Sequence, residues 1–484
     1  MIGLIFIAAG LAIVIRLAVS QRSIPHGVLA AMIAVFYGVR AIGVGLNVDD
    51  PYPGYLFSAT SIDHALDRFG AILLIFCISL AVGDTAFKGM ASSISRVLPF
   101  PRQELRLQPL MSAMVLLSGI ALIIALYQTA SYGGIQGAIV AAKSERVSGQ
   151  GLLRIPATMA LILSCAGFHA IPRGTEANAS HRALQVISAA CIGASVLSAS
   201  LWGSRQFIVL ALAYVFGAPA IHAFRQSQRG WWIKSAIVST VVIAVGFGLR
   251  IYRDNALGGE TAVSAAQGNL FRQISISANG TTLDSSLLAA KDFPAHAEYR
   301  GGQDFITGIY GAMPASLRPD NSEIDTVGAA FHRLYEPTAT SGWPIGAPTE
   351  WYINFGWIGV VVGGLVSGIA YKAINAGMHR SGNPELGAMV GLLLTLIVFP
   401  LGISASTPNR FVIHIVPLIL ILGALSLVSR LSGANQRRSP RRARSRARYS
   451  SVGRAQANVT SNFGRAETRV SIARERPARG QRPR

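Results

Sequence analysis

Residues 341–368 read SGWPIGAPTEWYINFGWIGVVVGGLVSG, and the chain changes medium along them. The first half is polar and turn-rich, with Pro344, Pro348, Glu350 and Asn354. The second half is a glycine-rich apolar run long enough to enter a bilayer. Glu350 therefore falls at the mouth of a membrane helix, where weak hydration makes an ionisable group a candidate for function. The plainer alternative is a solvated loop carboxylate.

Composition sets the class. Of 484 residues, 51% are hydrophobic and 13% charged, and the mean hydropathy is +0.44, too oily for a water-soluble chain of this length. The expected fold is an all-α polytopic membrane helix bundle. About eleven apolar runs are long enough to cross, near 2–20, 26–46, 69–86, 109–130, 152–171, 184–201, 206–223, 235–251, 351–371, 386–403 and 410–429. The organisation follows: eight spans in 1–251, one long extracytoplasmic loop in 252–345, three spans in 346–430 and a basic tail in 431–484.

The net charge of +21 is concentrated at one end. The tail holds 15 arginines against Glu467 and Glu475, a net +13 that leaves +8 for everything before it. Large apolar side chains are scarce there, so disorder is expected. Its chemistry suits anionic lipid. With only Tyr449 and Phe463 to stack on bases, a nucleic-acid partner is not expected. In the short loops, Lys and Arg fall on alternate connections: Arg22; Lys88, Arg96, Arg102 and Arg106; Arg173 and Arg182; Arg225, Arg229 and Lys234; Lys372 and Arg380. Positive charge is retained in the cytoplasm, which predicts an outside N-terminus, a cytoplasmic C-terminus and an outside long loop. Within that loop, GNLFRQISISANG and SLLAAKDFPAHAEYRGG predict short amphipathic helices lying on the membrane face and packing onto the spans. Cys77, Cys165 and Cys191 sit in apolar runs without metal-ligand spacing and read as packing residues. The N-terminal run lacks a basic leader and a cleavage site and reads as a retained first helix.

Soluble-enzyme signatures are missing from the sequence: no phosphate loop, paired CxxC, HExxH or nucleophile elbow. Arginines cluster instead at the outer ends of spans: Arg146, Arg154, Arg205, Arg250, Arg253 and Arg410. A guanidinium is always charged and offers a planar fork of donors suited to diphosphate; the alternative for each is a snorkelling side chain. Arg205 stands out because it occupies a very short turn between two apolar runs. Glu350, His332 and Asp254 are candidates to take a proton from a hydroxyl. Trp343, Trp351, Tyr352 and Asn354 are of types that fix sugars. His414, in the last span, reads more simply as a hydrogen-bonded bundle histidine. Asp49 and Asp50, before Pro51, read either as a metal-assisting pair or as a turn.

Two stretches carry a family likeness. SASLWGSRQFIVLALAYV (198–215) resembles the helix, Gly-Ser-Arg turn, helix element of the O-antigen ligase and polymerase superfamily of membrane glycosyltransferases. PIGAPTEWYINFGWIGVVVGGLVSG (344–368) is similar to the segment that closes the large outer loop of oligosaccharide repeat-unit polymerases. The resemblance implies an enzyme of the bacterial inner membrane that joins undecaprenyl-diphosphate-linked repeats of a surface polysaccharide on the outer leaflet, without metal or other cofactor. Under it, Arg205 corresponds to the turn arginine, and Glu350, Tyr352, Asn354 and Gly356 to the closing segment. Arg146, Arg250 and Arg253 correspond by location. A chain-length regulator is left open as a further partner.

Three other functions compete. A ligase would move finished glycan to a different acceptor. A metal-dependent glycosyltransferase would need Asp49 or Asp50. A transporter would call for an internal repeat or interrupted helices with mid-membrane charges, neither of which the sequence displays.

Overall fold

The computed structural model describes residues 2–46, 51, 53–102, 107–134, 153, 155–170, 179–201, 210–215, 281–313, 315–318, 326–339 and 342–437. They fall in two compact units, Met1–Ser426 and Leu427–Arg484; the second is described only as the helical residues up to Arg437.

Among the described residues every regular element is helical. In chain order these are α1 (Ile2–Gln21), α2 (Ile24–Gly45), α3 (Ala59–Ala86), α4 (Lys88–Val97), α5 (Leu107–Ser131), α6 (Ile155–Ala170), α7 (Ala179–Leu201), α8 (Thr281–Asp292), α9 (Gln303–Ala312), α10 (Val327–Arg333), α11 (Ala347–Arg380), α12 (Pro384–Val398) and α13 (Thr407–Arg437). Seven are long and apolar enough to cross a membrane: α1, α2, α3, α5, α7, α11 and α13. The expected spans at 152–171 and 386–403 appear as the shorter apolar helices α6 and α12. Those at 206–223 and 235–251 lie outside the described residues, apart from 210–215.

Glycine sets how the first core closes. A Cβ on Gly3 would meet the Leu66 carbonyl of α3, and one on Gly70 would meet the backbone of Gly3. Gly364 and Gly368, four apart on α11, lie against Phe76 and Leu80 of α3 in the same way. Small residues let helix backbones approach where lipid supplies no hydrophobic drive between them. The pairings rise together: Gly3 with Leu66 and Gly10 with Cys77; Gly364 with Phe76 and Gly368 with Leu80. So α1, α3 and α11 run parallel, with their N-terminal ends at one end of the bundle. A second apolar core gathers α5, α6, α7, α12 and α13. In it α6 is buried from Ala157 to Gly167, which explains why its apolar residues show no single face. Cys77, Cys165 and Cys191 are buried and unpaired.

The long loop departs from expectation in one respect. Instead of lying on a membrane face, α8 is sunk in the first core, with Leu283, Leu287 and Leu288 fully buried beside Leu66, Phe69 and Tyr37. Its Asp284 meets Arg40 of α2 in a two-pronged ion pair, Nε to Oδ1 at 3.0 Å and Nη2 to Oδ2 at 3.1 Å. That pair compensates two charges that would otherwise bar α8 from the interior. The other predicted amphipathic piece, 268–280, lies outside the described residues, as does the tail from 438.

Candidate active site

The site begins with how α11 starts and breaks. Gly346 is extended and Pro348 occupies the first turn, where its missing N–H costs nothing. Glu350 follows in that first turn, where the helix dipole favours a carboxylate. Asn354 is four residues on and shares its face. Gly356 then leaves the helical region at φ 63° and ψ −149°, a conformation that essentially only glycine adopts. The helix is therefore interrupted, which the sequence did not disclose. The carbonyls of Ile353 and Asn354, freed by the break, accept from the backbone amides of Arg300 and Gly301 at 2.9 and 3.0 Å. The long loop is thus tied to α11 at its kink.

Around the kink the polar side chains form one connected group. Asn354 Nδ2 donates to the Glu350 carbonyl at 2.8 Å and to Asp304 Oδ2 at 2.9 Å. Asp304, buried in the first turn of α9, also accepts from Arg300 Nε at 2.9 and 3.0 Å. Glu350 is 5% exposed, and its Oε2 accepts from the Ala405 amide at 2.7 Å. Ala405 belongs to the connection between α12 and α13, which Trp351 Nε1 also pins by donating to the Ile403 carbonyl at 2.8 Å. Arg410, in the first turn of α13, is close enough for its charge to act on Glu350. Two carboxylates, two guanidiniums and an amide thus converge where the long loop, α11 and α13 meet. Glu350 is placed to accept a proton from a hydroxyl brought beside it, because the Ala405 amide fixes one oxygen and burial leaves the carboxylate little hydrated.

The remaining predicted residues divide. Tyr352 is fully buried and donates to the Phe293 carbonyl at 2.8 Å, so its hydroxyl holds the loop instead of facing a sugar. Trp343 stacks on His332 at 4.1 Å. His332 belongs to this second cluster, where its Nε2 lies 3.1 Å from Glu336 Oε2. Glu336 accepts in turn from the Tyr55 hydroxyl at 2.7 Å. Nearby, Tyr335 donates to Asp292 at 2.8 Å; burial and that carboxylate hold its hydroxyl well above the usual tyrosine range. His414 lies within reach of the Arg410 charge, and among the described residues its Nδ1 has no hydrogen-bond partner, unlike the hydrogen-bonded bundle histidine expected. Arg146, Arg205, Arg250, Arg253, Asp49, Asp50 and Asp254 lie outside the described residues.

Sequence reading missed Arg300 and Asp304, which no periodicity marks, and the Arg40–Asp284 pair. It also missed a buried group at the opposite end. There Asp84 of α3 accepts from Gln21 Nε2, with His26 Nε2 at 3.5 Å and Lys372 Nζ at 3.6 Å. The available signal was a charged residue within or closing an apolar run, present at Arg40 and at Asp84. Comparison with protein-family models, with curated proteins and with solved structures gives no match.

Proposed function

We propose that this chain is a membrane polymerase joining lipid-diphosphate-linked oligosaccharide repeats on the outer leaflet of a bacterial inner membrane. The observation that carries the reading is the convergence on Glu350: a buried carboxylate anchored by Ala405, beside Arg410, in the stretch that resembles the loop-closing segment of repeat-unit polymerases. Orientation supports it. Arg22, Lys88, Arg96, Arg102 and Arg380 gather at the far end with Asp84 and Lys372, in or beside short connections, and short connections rich in Lys and Arg are retained in the cytoplasm. On this reading the Glu350 end faces the outer side, where lipid-linked repeats are presented.

In the transfer, an acceptor hydroxyl oxygen bonds to the anomeric carbon of the donor chain while the bond from that carbon to the diphosphate breaks. The hydroxyl proton passes to Glu350, and the electron pair leaves with the lipid diphosphate. Preorganised guanidiniums meet the charge that builds on the leaving group. Arg410 is the described one beside Glu350, and Arg205, Arg146, Arg250 and Arg253 are assigned the same task.

A transporter is the second reading, favoured by the interruption of α11 at Gly356 and by the buried Arg40–Asp284 pair. One experiment separates the two. Purified protein in nanodiscs is given an undecaprenyl-diphosphate-linked repeat, and products are sized: a polymerase yields a ladder, a transporter leaves single repeats. Absence of a ladder under conditions in which the protein binds the lipid-linked repeat would overturn the proposal.

A further inference from the structure

Arg68, on α3, has no part in the buried group or in the proposed transfer. The charges of Arg40, Lys291, Arg300 and Lys372 are each met by a carboxylate. Among the described residues no carboxylate comes within ion-pair distance of Arg68. Its neighbour Asp67 is occupied elsewhere, accepting from the Gly3 amide at 2.5 Å. The guanidinium instead lies over the ring of Tyr352, 5.6 Å from its centroid, a favourable place for a cation that does not quench its charge.

Depth and surroundings narrow what it could take. The Gly3–Asp67 bond puts Arg68 level with the start of α1, whose apolar run begins at Ile2, so it stands at the depth of lipid headgroups. Below it on the same face of α3, half-exposed and exposed apolar residues recur at Ala71, Ile75, Ile78 and Val82. That track is roughly 17 Å long at the rise of an α-helix. On α11, Trp357 packs edge-on against Tyr352 at 5.5 Å and is exposed beyond it. A cation on an aromatic floor, with a hydrocarbon-lined track beneath, matches an anionic head on an apolar chain.

We infer that Arg68 binds the phosphate of a single membrane lipid whose chain lies along the Ala71–Val82 face of α3. This forms a lateral docking site at the level of the Glu350 group. Tyr352, its floor, is two residues from Glu350 on α11, about 3 Å along the axis. The site rests on the polymerase reading only in naming the carrier lipid as occupant.

The test measures undecaprenyl phosphate binding to the full chain in phosphatidylcholine nanodiscs by native mass spectrometry. Arg68→Gln should weaken binding about tenfold, the loss expected for one charge-assisted hydrogen bond, while Arg68→Lys retains most of it. Undecaprenol, which lacks the phosphate, should not compete, and inorganic phosphate should compete only at far higher concentration. Unchanged binding by Arg68→Gln, or equal competition by inorganic phosphate, overturns the site. Should Arg68→Gln fail to fold, Ile75→Asp, which sets a like charge in the track, must weaken binding with Arg68 intact. The two proposals fail separately: lipid binding by the wild type without a ladder sinks the polymerase alone, whereas a ladder with Arg68-independent binding sinks the docking site alone.

Discussion

At the scale of single residues, Glu350 is the position where structure and proposed chemistry can be separated. In Glu350→Gln the amide oxygen can still accept from the Ala405 N–H, so the fold should survive with an unchanged melting temperature. The proton acceptor is gone, and the rate of repeat addition should fall by about 10²–10⁴-fold, the usual worth of general-base catalysis. A second prediction concerns Glu336. The Tyr55 hydroxyl, and after it His332, hold its carboxyl below the ordinary 4.5. A depressed carboxyl contributes stability above its unfolded value and loses it as pH falls through the folded one. Amide exchange across 327–336 should therefore quicken below about pH 4.5, and Glu336→Gln should remove that dependence. Glu350 and Asn354 were legible beforehand because polar residues at the edge of an apolar run are conspicuous. Arg300 and Asp304 were not, because a loop residue acquires its partner only through the tertiary fold.

Among the elements, α11 and α8 teach different things. The glycine-rich run of α11 was legible as a span, but its break was not, since glycine in a membrane helix usually marks close packing, as Gly364 and Gly368 do. Gly356→Ala forces an L-residue to φ 63° and sets its Cβ 3.0 Å from the Tyr299 ring. A loss of about 1–3 kcal/mol is expected, read as a lowered melting temperature in detergent. For α8, no pattern in the chain foretold its burial, because Asp284 and Lys291 look like a solvated face until Arg40 is brought to the first of them. Arg40→Ala should cost about 3–5 kcal/mol by stranding a buried carboxylate, whereas pairing Arg40→Met with Asp284→Leu should recover most of it.

For the molecule as a whole, hydropathy was enough to establish a helical membrane bundle, and seven long apolar helices are present among the described residues. The larger count of spans depends on segments outside them. Orientation remains open to a direct test. The native cysteines are buried, so single cysteines report cleanly: Glu298→Cys should react with an impermeant maleimide on intact cells, and Lys88→Cys only after lysis. The reverse pattern would put the Glu350 group in the cytoplasm and end the polymerase reading.

The corner at Arg300 and Gly301 also constrains what could ever open this protein. Its two amides stand in for the bonds that α11 gives up at Gly356. Swinging the loop away would strip the carbonyls of Ile353 and Asn354, two buried residues, of their partners, at a cost of about 1–3 kcal/mol each. A visitor that prises the corner apart must therefore arrive carrying replacement donors and acceptors. A saccharide brings a ring of hydroxyls to that exchange; a bare acyl chain brings nothing.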